Sequence, residues 1–120
     1  MKLTRRDFVK AAATVAFAGA VSRVRGSSRF DAVVYNDWFP QARAFADGLA
    51  AQGTHVLPVA GDAGRLWYDT LRGLVNQGHR RIAGMTTHTD LLILETLARD
   101  TGLRVSQRES AGRLVSWVLL

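Results

Sequence analysis

The side chains able to do chemistry in this chain fall into three groups, each placed just after an apolar run: Asn36, Asp37 and Trp38; Asp62; and Thr86, Thr87 and His88, followed by Thr89 and Asp90. An aspartate and a histidine brought across one crevice can exchange protons with a substrate, so Asp37 with His88 would be the acid–base pair of a small hydrolase or isomerase. Threonine hydroxyls and free backbone donors at a helix start can hold a carboxylate or phosphate, which is the binding chemistry open to residues 86–89. Trp38 and Phe39 are large and apolar for a loop and could line a pocket wall. Each group also has a plainer role. An aspartate between a strand and a helix satisfies free helix donors, which suits Asp62, and Thr87 with Asp90 has the spacing of a capping box.

Other chemistries are excluded or left without a carrier. The chain has no cysteine, so disulfides, thiol catalysis and cysteine metal sites are out. The run Gly61, Asp62, Ala63, Gly64 has the wrong spacing for a phosphate loop or a dinucleotide fingerprint, and no Gly-x-Ser-x-Gly elbow occurs. Of the three histidines, His55 and His79 open strands and are expected at the opposite edge of the sheet from His88. Metal binding would need His88 with Asp37 or Asp62, so no metal or other cofactor is expected.

The elements that must position these groups follow a period. Three helical patterns end at Gly53, Gly78 and Gly102, spaced 25 and 24 residues apart, each interval fitting one strand and one helix. Residues 30–35 and 55–60 read as the first two strands. Ala42, Phe45, Ala46 and Leu49 share one helical face behind Pro40, as do Trp67, Leu71, Leu74 and Val75 in the second unit. Trp67 is therefore expected in the core, and Tyr68 with Arg72 as a packed surface pair or partner contact. The third unit is residues 81–102. Its helix carries Leu91, Leu92, Ile93 and Leu94, more apolar surface than one sheet face needs, which suggests a homodimer or a larger partner.

After Gly102 the pattern alternates, then residues 114–120 are apolar on both parities. The connection is too short for a crossover, so the last strand should run antiparallel to the one before it, either inside the sheet or under a partner. The expected architecture is α/β: one sheet of about five strands, three parallel βα units followed by a carboxyl-terminal antiparallel hairpin. A 2-1-3 order of the parallel strands would make a switch point between the first and third, where residues 36–38 and 86–90 face each other.

Charge separates the chain into two parts. Residues 1–26 hold six basic residues against one acidic, and residues 27–120 hold ten against nine. The formal net charge of +6 thus belongs mainly to the amino terminus, and the nearly neutral body offers no basic stripe for nucleic acid.

Thr4, Arg5, Arg6, Asp7, Phe8, Val9 and Lys10 resemble the twin-arginine export motif, with Arg5, Arg6 and Phe8 at its characteristic positions. Residues 11–21 follow as an alanine-rich apolar segment, too short for a permanent membrane span. Cleavage could fall after Ala20 or near Gly26. The resemblance implies a signal peptide over residues 1–26, a compact domain over 27–120, the twin-arginine translocase as partner during export, and a periplasmic destination.

Gly78, His79, Arg80, Arg81, Ile82 and Ala83 resemble the helix-to-strand turn of LacI-type regulators and periplasmic sugar-binding proteins. That likeness implies a Rossmann-like, flavodoxin-like topology, here as a single lobe, and no binding residue is carried over from it. Three functions remain open: a noncatalytic exported module binding a small, anionic ligand or a partner protein; an accessory subunit or chaperone of an exported cofactor enzyme; and the hydrolase or isomerase using Asp37 and His88.

Overall fold

A computed structural model describes residues 30–120. The export motif and the segment after it, residues 1–26, lie outside the described residues. Five strands, β1 (Ala32–Tyr35), β2 (His55–Pro58), β3 (Ile82–Thr87), β4 (Val105–Ala111) and β5 (Leu114–Leu119), form one sheet in the order β2-β1-β3-β5-β4. The first three are parallel, and β5 pairs antiparallel with both β3 and β4. The 2-1-3 order is therefore present. The last strand turns back from the edge strand β4 and inserts beside β3, so all six of its residues are buried, as two apolar parities require.

Helix α1 (Pro40–Ala50) starts at Pro40, where a missing N–H costs nothing, and buries Ala42, Phe45, Ala46 and Leu49. It packs on one face with Val33, Ala83, Met85, Leu114 and Val118. The opposite face carries Ala32, Val34, Ile82, Val115, Trp117 and Leu119. That face is covered by two helical stretches. The first consists of α2 (Ala63–Leu66), a wider π turn (Trp67–Leu71) and α3 (Arg72–Asn76); the second is α4 (His88–Ala98).

The π turn explains a difference from simple helical periodicity. In an α-helix each i+4 step drifts by about 40° around the axis. The turn closed by Arg72 N–H to the Trp67 carbonyl is wider and slows this drift. Ala63, Trp67, Leu71 and Val75 therefore stay buried in one row, while Leu74 is only half-buried.

Gly53, Gly78 and Gly102 all have left-handed φ, of 89°, 100° and 86°, each where the chain leaves its helix for the next strand. A fourth glycine acts by size. Gly84 in β3 lies opposite Trp117 in β5, and a Cβ there would overlap the indole at Cζ2 and Cε2. The absent side chain is the seat of the tryptophan ring.

Candidate functional site

The carboxyl ends of β1 and β3 form the switch point, because the helices after them lie on opposite faces: α1 with Val33 and Ala83, α4 with Ile82 and Trp117. The loops there face each other and are joined. Asn36 donates from Nδ2 to Asp90 Oδ2 at 3.0 Å, a part-buried bond linking residues 54 apart in sequence. Its backbone N–H donates to the Met85 carbonyl at 3.0 Å, and its Oδ1 accepts from Trp38 N at 3.0 Å. Every polar group of the Asn36 side chain is thus engaged in holding the loop.

Asp37 ties the same loop to the next one. Its Oδ1 accepts from the Ala60 N–H at 3.3 Å, and its carbonyl accepts from Arg43 Nη1 at 2.6 Å. Ala60 has φ of 55°, the left-handed region, followed by Gly61 at 87°. Asp62 then caps the next helical turn by accepting from Arg65 N at 3.0 Å.

On the third strand, Thr87 is the N-cap of α4 and accepts from Asp90 N at 3.2 Å. Only this half of the capping box forms, since the Asp90 carboxylate is turned to Asn36. Thr86 points the other way, into the core. Its hydroxyl is fully buried, donates to the Thr87 carbonyl at 3.0 Å and accepts from Trp117 Nε1 at 3.0 Å. His88 and Thr89 are exposed at the helix start.

Trp38 is 80% exposed, so it projects into solvent instead of forming a pocket wall. Phe39 behaves differently. It packs beside the α1 core, and the Arg113 guanidinium from the β4–β5 turn lies over its ring at 5.5 Å. Neither the Arg113 contact nor the Asn36 to Asp90 bond has a local sequence signal.

Two neighbouring features complete the surface. A shallow concavity of ≈ 180 Å³ beside the second loop is lined by Pro58, Val59, Ala60, Asp62, Arg65, Leu66, Asp69 and Thr70, and Arg65 pairs with Asp69 at 3.4 Å. This is below the range of about 300–1,000 Å³ usual for organic ligands. At the other edge of the sheet, His79 Nδ1 lies 3.8 Å from Asp31 Oδ1 and the His55 ring is 6.1 Å from that of His79. Both histidines are thus apart from His88. Among the described residues no group of three His, Asp or Glu side chains is arranged to hold a metal ion, and no helix is long and apolar enough to cross a membrane.

Comparison with protein-family models, with curated proteins and with solved structures finds no match.

Proposed function

We propose that this chain is a noncatalytic module of Rossmann-like topology that binds a partner protein through the loops at the carboxyl edge of its sheet. One observation carries the reading: the side chains of Asn36, Asp37 and Asp90 at the switch point are engaged in holding its loops together, while Trp38 beside them stands 80% exposed. A tryptophan left in water loses the burial worth about 1.5–3 kcal/mol to a large apolar side chain, and tryptophan is enriched among residues that anchor protein interfaces. The acid–base reading has no hydrogen bond to support it here: Asp37 Oδ1 accepts from the Ala60 N–H, and His88 is exposed at the start of α4.

The amino-terminal motif supports export by the twin-arginine route and a periplasmic place of work. Folded substrates suit that route, so the partner would be another exported protein. An accessory role for a cofactor enzyme fits a second exposed residue, Leu92 of α4, at 63%.

Native mass spectrometry of the protein isolated from its own periplasm tests the reading. A complex with a second protein is the expected mass. A bare monomer, together with a thermal shift by a small anion, sugar or metal, would replace partner binding with ligand binding.

A further inference from the structure

Two features of the carboxyl edge match each other in size, charge and place. The first is a projection, Trp38, which stands 80% exposed. Two exposed arginines flank its loop: Arg43 donates to the Asp37 carbonyl, and Arg113 lies over the Phe39 ring. The acidic groups of the same region, Asp37 and Asp90, are half-buried and hydrogen-bonded to Ala60 and Asn36. The exposed charge beside the indole is therefore positive.

The second feature is a hollow, the concavity of ≈ 180 Å³ beside the loop after β2. An apolar cavity of about 150 Å³ holds one benzene ring, so this volume suits a single aromatic side chain. Pro58, Val59 and Leu66 give the hollow an apolar lining, and Asp62, Arg65 and Asp69 are its charged members. Asp69 pairs with Arg65 at 3.4 Å, which leaves Asp62 as the excess, acidic charge. Both carboxylates are exposed, so either offers an acceptor for the N–H that a buried indole must donate.

Projection and hollow are neighbours. One follows β1 and the other follows β2, its parallel partner, and Asp37 Oδ1 is bonded at 3.3 Å to the N–H of Ala60 in the lining of the hollow. The indole does not fill the hollow of its own chain, since it remains in solvent. A projection beside a matching hollow is self-complementary about a two-fold axis: each copy's projection enters the other's hollow, and the assembly closes as a dimer.

We propose that the partner at this edge is a second copy of the chain, with Trp38 of each copy seated in the concavity of the other and Arg43 facing Asp62. The proposal rests on the partner-binding reading of Trp38 and names its partner. Two indoles and the surfaces they cover come to about 1,000 Å², the lower limit of a specific interface, so the dimer is a reversible one.

Sedimentation of the full chain over a range of concentrations tests it, with Trp38→Ala removing the projection and Thr70→Arg blocking the hollow. Trp38 and Thr70 are both exposed, so the circular dichroism of each variant should match that of wild type. Wild type should dimerise, and each variant alone should dimerise at least tenfold more weakly. An equal mixture of the two variants should dimerise more tightly than either alone, because one intact Trp38 then meets one intact hollow. A dimer unchanged by Thr70→Arg, or a mixture no tighter than its components, would overturn the proposed seating. A wild type that stays monomeric would overturn the second copy as partner, and native mass spectrometry of the chain from its own cells then separates the two ideas. A complex with a different protein, lost in Trp38→Ala, would preserve the partner-binding reading, whereas a bare monomer would end both.

Discussion

Asn36 donates to Asp90 at 3.0 Å across the gap between the loop after β1 and the first turn of α4. The bond fixes one wall of the switch point against the other and takes Asp90 away from its expected capping role. A charge-assisted hydrogen bond of this kind contributes about 1.5–3 kcal/mol. A double-mutant cycle with Asn36→Ala and Asp90→Ala, read by urea unfolding, should therefore show a coupling of about 1–2 kcal/mol after partial solvent exposure is allowed for.

Gly84 and Trp117 form a packed pair across β3 and β5. Gly84→Ala places a methyl group inside the indole, and overpacking costs about 1–3 kcal/mol or more where neither backbone can yield. Trp117→Leu alone leaves a cavity and should cost about 3 kcal/mol. The double variant should be more stable than the sum of the two losses predicts, as measured by denaturant midpoints.

The indole is also held at its nitrogen, by Thr86 Oγ1 at 3.0 Å. Thr86→Val keeps the shape and leaves a buried N–H unpaired, at a cost of about 1–3 kcal/mol. The emission of Trp117, isolated by replacing Trp38 and Trp67 with Phe, should change with it. An unchanged midpoint would mean that the indole finds another acceptor.

Ala60 is exposed and has φ of 55°, where an L-residue is strained by about 1–2 kcal/mol. Ala60→Gly removes that strain and raises unfolded-state entropy by about 0.4–1 kcal/mol in opposition. A small net gain in Tm is expected from a thermal melt.

Local signals accounted for the elements and missed the pairings. The helix-ending glycines, Pro40, the Thr87 cap, the Asp62 cap and the buried rows of α1 could all be read because each depends on spacing within a few residues. The two apolar parities of residues 114–119 announced a strand buried on both faces, although its place between β3 and β4 needed the structure. Asn36 with Asp90, Gly84 with Trp117, and Arg113 over Phe39 are long-range contacts, and single-residue types carry no record of their partners. The same limit made Thr86 look like part of a binding turn, when it is a buried support for Trp117. The wide turn at Trp67 to Leu71 was hidden because an i, i+4 row fits both α and π geometry.

The most direct test of partner binding is native mass spectrometry of wild-type protein and Trp38→Ala, each isolated from its own cells. At 80% exposure Trp38 contributes little to folding, so the variant should keep its Tm within about 2 °C while losing the partner at least tenfold. A wild-type chain found alone, or a complex equally abundant in the variant, would contradict the account.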